Sequence, residues 1–415
     1  MPEKMIEFRN DQFSLPDKVI LIFLAANYVV ITGIPGLYSI FKIIYFVQLG
    51  IFVLYLSIYF DFDYIFNYRF RRITVTPFLI IISFLLFFIS SFIVNWNYNS
   101  NWESIFKLLT YPIVFYLFFV HLARLFFYYD NLFEKFLNVL VLIAFFTALI
   151  ALTMYFLGLS LSNQYQFAAT GYFGHPNTAA FIYTLSIPIL FYKRFTNKYS
   201  NPKFILFLVT LMGGLLFSFS RSAYLGVFIS ILVITYKKSK KIFAITVVLS
   251  LFIIAYLFLG FATAKGDSSS PRILLIFASL NMIFNYGSRY LLWGYGIFHN
   301  IDVFKNESIL VGSTEGVPDP HNMIMLSSIQ FGLLFTVCLA LIVAVIIAKT
   351  VFNKKENNSF FESKINLLIS IIIGLIAHNM LEDIICYPEY YVMPLFLTFL
   401  GYLFFYSSQR QLINQ

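Results

Sequence analysis

Apolar stretches of about twenty residues recur along almost the whole chain, and short polar segments separate them. A helix needs about 20 apolar residues to cross the roughly 30 Å hydrocarbon core of a bilayer. The pattern therefore predicts an all-α, polytopic transmembrane bundle of about twelve helices, with residues 1–415 forming one integral membrane domain. The predicted spans are 19–36, 38–60, 74–95, 104–122, 133–157, 176–192, 203–218, 221–236, 242–262, 323–348, 366–385 and 389–407.

One long segment interrupts this alternation. Residues 262–322, between the ninth and tenth spans, are predicted to form a large extracytoplasmic loop that contains short helices. Within the loop, residues 272–285 are apolar but too few to cross the bilayer, which predicts an interfacial or re-entrant helix.

The composition excludes a water-soluble protein. Hydrophobic residues make up 60% of the chain and charged residues 11%, whereas soluble domains carry roughly 25% charged residues. The net charge of +9 does not indicate nucleic-acid binding, because the basic residues form short runs between apolar stretches. The two cysteines, Cys338 and Cys386, lie in apolar segments and offer neither a metal-ligand spacing nor a disulfide framework.

The distribution of basic residues predicts the orientation. Lysine and arginine favour cytoplasmic loops, and with the N-terminus inside, 21 of the 28 basic residues fall in cytoplasmic segments. We therefore expect both termini to be cytoplasmic. The basic residues predicted to lie outside are Arg221, Lys265, Arg272, Arg289 and Lys305.

Arg221 lies in the turn between two predicted helices that together span only about 35 residues. Helices that short do not fully cross the apolar core, so the turn is expected within the outer leaflet. A cation there, at a helix start with free backbone N–H groups, favours a lipid phosphate or pyrophosphate. The alternative is an arginine that snorkels to the headgroups.

Arg289 and Trp293 lie in the long loop and share a face if the segment is helical. The guanidinium could bind phosphate while the indole stacks on a sugar. The alternative is a pair that anchors the loop to the bilayer surface.

His321 ends the loop, just before the tenth span, and a near-neutral imidazole can deprotonate a hydroxyl. Asp319 could orient the ring, and Asn322 can cap the helix that follows. The alternative is that His321 is a structural cap or a surface residue.

His175, at the start of the sixth span, and His378 with Glu382, near the end of the eleventh, are further candidates. His378 and Glu382 are predicted to lie one helical turn apart. Ionisable groups at such depth are functional candidates, although hydrogen bonds between packed helices explain them equally well. No outward Asp/Glu pair has metal-ligand spacing, which favours a metal-independent reaction.

The order of these residues resembles the O-antigen ligase and polymerase superfamily of bacterial membrane enzymes. The motifs that carry the resemblance are His175-Pro-Asn177, Ser220-Arg221-Ser, Arg289-x-x-x-Trp293 and His321-Asn322. The resemblance implies metal-independent, inverting glycosyl transfer without a cofactor, at the outer face of the cytoplasmic (inner) membrane. Where the family often has an acidic residue before a glycine in the helix after the histidine, this chain has Gln330.

By the same resemblance, Arg221 and Arg289 bind the pyrophosphate of the donor, and His321 is the base that activates the acceptor hydroxyl. The full candidate substrate-binding set is Arg221, Arg289, Trp293, His175, Asn177, Asn322, His378 and Glu382. The expected partners are undecaprenyl-pyrophosphate-linked oligosaccharides and membrane lipids, with a flippase and a chain-length regulator, and without nucleic acid.

Three functions remain open on the sequence. The leading hypothesis is polymerisation of repeat units into a capsule, exopolysaccharide or O-antigen. The second is a ligase that transfers a finished glycan to another acceptor with the same residues. The third is a transporter or flippase of lipid-linked sugars, a class that typically has internally repeated halves with charges near the midplane, which this sequence does not show.

Overall fold

The computed structural model describes residues 75–99, 102–159, 168–171, 176–236, 269–297, 299–311, 320–352, 359–387 and 392–413, with isolated positions between 47 and 50 and between 240 and 248. These residues form helices joined by turns, and no strand occurs among them. The prediction of an all-α protein is confirmed for this part of the chain.

We number the helices in chain order. They are α1 (Val75–Phe88), α2 (Trp96–Asn99), α3 (Trp102–Val114), α4 (Ala123–Tyr128), α5 (Asp130–Phe156), α6 (Pro176–Phe195), α7 (Asn201–Ser218), α8 (Arg221–Tyr236), α9 (Ser269–Asn285), α10 (Ser288–Trp293), α11 (His299–Leu310), α12 (Met323–Phe331), α13 (Leu333–Phe352), α14 (Ser359–Asn379) and α15 (Val392–Ile413). The π-helical segment Ile89–Val94 continues α1, the π-helical segment Phe115–Leu122 joins α3 to α4, and Ile384–Cys386 is a 3₁₀ turn.

Five of the described helical stretches are long and apolar enough to cross a membrane. They are Val75–Val94, Ser104–Tyr128, Asp130–Phe156, Asn201–Ser218 and Leu333–Phe352, and all five overlap predicted spans. The predicted spans 19–36, 38–60 and 242–262 lie outside the described residues, apart from isolated positions. The total of about twelve spans therefore stays a prediction.

The centre of the bundle is α6, whose residues are almost all buried. It packs against α5, α7, α8 and α14. Because other helices rather than lipid surround it, α6 accommodates hydroxyl side chains such as Thr184 and Ser186 along its length. This central position means that both ends of α6 meet several other helices.

Helices α8 and α14 approach closely where small residues face each other. A Cβ atom added to Gly374 would lie 1.8 Å from Ser230 Oγ and 2.7 Å from the carbonyl oxygen of Gly226. Small residues at such crossings allow the two backbones to pack directly. The contact fixes the register of α8 against α14.

A cluster of charged residues lies at one end of α5, α6 and α14, which we call the Glu134 end. Lys193 Nζ of α6 lies 2.6 Å from Glu134 Oε2 of α5, and Lys198 Nζ lies 2.7 Å from the same oxygen. Lys364 of α14 pairs with Asp130 and lies 3.6 Å from Glu134 Oε1. These buried ion pairs join three helices, and losing one partner of such a pair costs about 3–5 kcal/mol.

Helices α9, α10 and α11 belong to the predicted loop 262–322, and they pack on α12 around an apolar cluster of their own. The apolar segment 272–285 lies within α9, as predicted for a short helix. Beyond α10 the chain runs beside the last turn of α12. There the amides of Tyr295 and Gly296 donate to the carbonyl oxygens of Ile329 (2.7 Å) and Gln330 (3.0 Å).

The prediction of a single tenth span at 323–348 is wrong. The segment is two helices, α12 and α13, which meet at Gly332 with a φ of +92°. A Cβ atom at Gly332 would lie 2.0 Å from the carbonyl oxygen of Leu292 in α10. The helix breaks because the backbone of α10 crosses it there, and only glycine fits both the contact and the positive φ.

The close crossing of α8 and α14 predicts a strong effect of one added methyl group. Gly374→Ala should lower the stability of the purified protein in detergent by about 1–3 kcal/mol. The reason is that Ser230 and the α8 backbone at Gly226 must move away from the added methyl group on α14. Gly213→Ala is the matched control, since its Cβ would meet only the side chain of Leu152, at 3.2 Å. Thermal unfolding measures both, and equal midpoints for the two variants would contradict the tight crossing.

Candidate active site

The turn after α14 carries the acidic residue at the centre of the candidate site. Helix α14 ends at Asn379, whose Oδ1 accepts from the amide of Ile385 at 3.0 Å. Its Nδ2 donates to the carbonyl oxygen of Leu375 at 2.8 Å. The eleventh predicted span, 366–385, therefore ends six residues early (385 − 379), and Glu382 lies in the turn that Asn379 stabilises.

Glu382 joins three separate segments. Asn177 Nδ2, in the first turn of α6, donates to Glu382 Oε1. His321 Nδ1 lies 4.0 Å from Glu382 Oε2, within ion-pair range but longer than a hydrogen bond. The Glu382 side chain is only 4% exposed, whereas that of His321 is 37% exposed. A buried carboxylate thus lies behind an imidazole that faces accessible space.

The backbone around His321 is fixed by the residue that follows it. His321 has a φ of +48°, a conformation uncommon for a residue other than glycine. Asn322 caps α12 as predicted, since its Oδ1 accepts from the amides of Ile324 (3.0 Å) and Met325 (3.1 Å). Its Nδ2 donates to the carbonyl oxygen of Met380 at 2.8 Å, which ties His321 to the turn that carries Glu382.

Glu382 is a carboxylate that the structure shows beside His321, and the prediction that Asp319 orients the ring stays a prediction. Asp319 and His175 lie outside the described residues. The prediction that His378 and Glu382 lie one helical turn apart is wrong, because the helix ends between them and the chain turns toward α6.

His378 lies in the helical core. Its ring stacks on Phe181 with centroids 3.6 Å apart, and its Nδ1 lies 3.0 Å from Thr184 Oγ1, both on α6. The residue is fully buried. These are the contacts of a helix-packing residue, so His378 supports the turn after α14 and does not line the accessible part of the site.

Arg221 is the first residue of α8, as predicted. A tight turn precedes it, in which Phe219 has a φ of +53° and the buried Ser220 Oγ accepts from the amide of Ala223 at 3.4 Å. Helix α8 runs antiparallel to α14, and Gly226 packs against His378. Arg221 therefore starts α8 at the same end of the bundle as Glu382, which we call the Glu382 end.

The Glu134 and Glu382 ends lie at opposite ends of α6 and α14. Lys193 lies in the last turn of α6 and Asn177 in its first, while Lys364 lies near the start of α14 and Glu382 just beyond its end. Both helices have about twenty residues, which corresponds to roughly 30 Å. The two polar clusters are thus separated by about the thickness of a bilayer core.

Arg289 and Trp293 lie on α10 at i and i+4, as predicted, but the structure does not place them beside His321. Arg289 is exposed, and its Nη2 donates to the carbonyl oxygen of Val94 at 2.8 Å. Helix α10 contacts the C-terminal end of α12, whereas His321 precedes the N-terminal end. Nine residues of helix separate the two by roughly 12 Å.

The sequence offered no signal for the residues that hold α10 in place. Ser90 and Asn95 contact Trp293 through its backbone, across about two hundred positions of the chain. Among the described residues, no group of three or more histidine, cysteine, aspartate or glutamate side chains could hold a metal ion.

Comparison with known proteins does not assign this site. No protein-family model matches the chain, and no curated protein matches its sequence. The functional assignment therefore depends on the residues and on their geometry.

Asn322 both caps α12 and binds the carbonyl oxygen of Met380, and a pair of variants separates these two roles. Asn322→Ala loses the helix cap and the bond to Met380, and should cost about 1 kcal/mol or more of stability. Asn322→Asp keeps an oxygen that caps α12 and should lose only the Met380 bond. Thermal unfolding in detergent is the measurement, and wild-type stability of Asn322→Ala would show that the cap contributes nothing.

Proposed function

We propose that this chain is a membrane glycosyltransferase that polymerises undecaprenyl-pyrophosphate-linked oligosaccharide repeat units into a surface polysaccharide. The reaction takes place at the outer face of the bacterial cytoplasmic membrane, and the Glu382 end faces outward. The observation that carries the proposal is the contact of His321 with the buried carboxylate of Glu382, at the same end of the bundle as the arginine that starts α8.

The pair of His321 and Glu382 supports general base catalysis. The carboxylate lies on the Nδ1 side of the ring, which leaves Nε2 to accept a proton from the substrate. Asn177 donates to the other carboxylate oxygen and holds the group in place. In the proposed reaction, His321 Nε2 takes the proton of the acceptor hydroxyl as its oxygen attacks the anomeric carbon of the donor sugar.

Arg221 supports departure of the leaving group. As the new glycosidic bond forms, the bond between the anomeric carbon and the pyrophosphate oxygen breaks, and negative charge develops on the lipid pyrophosphate. Arg221 adds a guanidinium at the positive end of the α8 helix dipole, and this combination stabilises an anion. Attack opposite to the leaving group inverts the anomeric centre.

The separation of Arg289 from His321 leaves room for the donor pyrophosphate and the sugar under attack between them. Helix α10, which carries Arg289 and Trp293, packs at the C-terminal end of α12, and α12 extends for roughly 12 Å between that end and His321. In the proposed complex, Arg289 binds the donor pyrophosphate together with Arg221, and the Trp293 indole packs on a sugar ring. The acceptor hydroxyl lies beside His321.

Alanine variants of the three proposed catalytic side chains test the site. Arg221→Ala, Arg289→Ala and His321→Ala should each abolish polymer while the protein still accumulates in the membrane. Lys305→Ala is the control, since it removes an exposed cation from α11 in the same loop. Polymer is measured on gels of cell-surface glycans, and normal chain lengths in all three variants would refute the site.

The reaction itself is tested with purified protein and the lipid-linked oligosaccharide that a deletion strain accumulates. Wild-type protein in detergent should convert this substrate into a ladder of longer lipid-linked chains. Transfer only to a different acceptor, such as lipid A core, would instead indicate a ligase. Movement of the substrate across a vesicle membrane without a new bond would indicate a transporter.

Loss of the carboxylate should slow the proton transfer more than it weakens binding. Glu382→Gln should lower kcat by at least about tenfold and leave KM nearly unchanged, because the imidazole ring loses the carboxylate that orients it for proton transfer. Asp302→Asn, which alters an exposed carboxylate of α11, is the matched control. An unchanged kcat for Glu382→Gln would remove Glu382 from the mechanism.

A further inference from the structure

Two residues that follow α1, Ser90 and Asn95, form hydrogen bonds with the end of α10. Ser90 Oγ donates to the carbonyl oxygen of Trp293 at 2.5 Å. Asn95 Nδ2 lies 3.3 Å from the same oxygen and 3.4 Å from the carbonyl oxygen of Gly294. Both side chains are fully buried, so these hydrogen bonds form where water does not compete for the same groups.

The π-helical segment that continues α1 also contacts the beginning of α10. Arg289 Nη2 donates to the carbonyl oxygen of Val94 at 2.8 Å. Helix α10 has only six residues and depends on tertiary contacts, because isolated helices of that length are unstable. Its first and last turns are thus both fixed by Ser90, Val94 and Asn95, which we call the α1 latch.

A second set of contacts limits the movement of α10 on its other side. The backbone of Leu292 passes against Gly332, and that of Gly294 passes against Gln330. Gly296 donates to the carbonyl oxygen of Gln330 at 3.0 Å. The segment 288–296 is therefore held between α1 and α12.

The local conformation of α1 places the latch. Ser90 and Val94 lie in the π-helical segment Ile89–Val94, and the amide and Nδ2 of Asn95 both donate to the carbonyl oxygen of Ser90, at 3.1 and 3.0 Å. A π-helical turn changes the direction of the side chains that follow it, and such turns are frequent at functional sites. Here the turn directs Ser90 and Asn95 toward the backbone of Trp293.

We propose that Ser90 and Asn95 are positioning residues that orient Arg289 and Trp293 toward the donor substrate, a lipid-linked pyrophosphate sugar. The role of Arg289 itself depends on the function proposed above. A guanidinium stabilises developing charge efficiently only when it is held in place before the reaction, and small misplacements lower the rate strongly. The latch supplies that placement from a helix far away in sequence.

Hydrogen–deuterium exchange tests the latch without reference to activity. Asn95→Ala and Ser90→Ala in the purified full-length protein should speed exchange of the amides in residues 289–296 by about tenfold or more, with no change in α5 and α6. Ser83→Ala is the matched control, because this buried serine lies on the same helix and its Oγ has no hydrogen-bond partner among the described residues. Unchanged exchange in residues 289–296 for both variants would overturn the proposal.

Kinetics with the lipid-linked oligosaccharide from a deletion strain test the link to Arg289. Ser90→Ala and Asn95→Ala should each lower kcat about tenfold with little change in KM, and Ser90→Thr, which keeps the hydroxyl, should restore most of the loss at position 90. In an Arg289→Lys background, Asn95→Ala should cost less than about threefold, because the side chain that it positions is already altered. A full tenfold loss in both backgrounds would show that Asn95 acts independently of Arg289, and the proposal would fail.

The two proposals can fail separately. If wild-type protein forms no glycosidic bond with this substrate, the proposed function fails, and exchange in residues 289–296 alone decides whether the latch exists. If polymer forms but neither latch variant changes exchange or kcat, the function stands and the latch does not.

Discussion

A buried carboxylate at each end fixes α6 against α14, and the geometry of the candidate site depends on this pair of contacts. At one end Glu134 of α5 bridges Lys193 of α6 and Lys364 of α14. At the other end Glu382, just after α14, accepts a hydrogen bond from Asn177 of α6. Because a buried charge is costly without its partners, neither helix can shift along the other without breaking one of these contacts. That fixed register places Asn177 beside Glu382, and the bond from Asn322 to Met380 then brings His321 to the same turn.

The sequence predicts helices well where the signal is local. The predicted spans 203–218 and 221–236 lie close to α7 and α8, because a polar turn separates two apolar runs. The tenth span was predicted as continuous because nothing in residues 323–348 marks Gly332 as different from an ordinary helix glycine. The break arises from the backbone of Leu292, a contact between distant parts of the chain. Such a contact cannot be inferred from hydrophobic periodicity.

The same distinction applies to the site. Arg221 at the start of α8 and Asn322 as the cap of α12 follow from short-range rules of helix termini, and the structure has both. The pairing of Glu382 with His321 does not, because helical spacing assigned Glu382 to the face of His378. Only the end of α14 at Asn379, and the turn that Asn379 stabilises, bring the carboxylate to His321. The chemistry of the side chains identifies Glu382 and His321 as candidates, but only tertiary packing shows that they lie beside each other.

The crossing of α10 over Gly332 limits how this protein can change shape. Since the two backbones touch without an intervening side chain, α10 cannot move closer to α12 and α13, and the amides of Tyr295 and Gly296 bond the following segment to α12. A hinged opening of the segment with Arg289 would therefore have to break these contacts. In the proposed function, admission of a bulky glycan and release of the extended product would then come from rearrangement elsewhere.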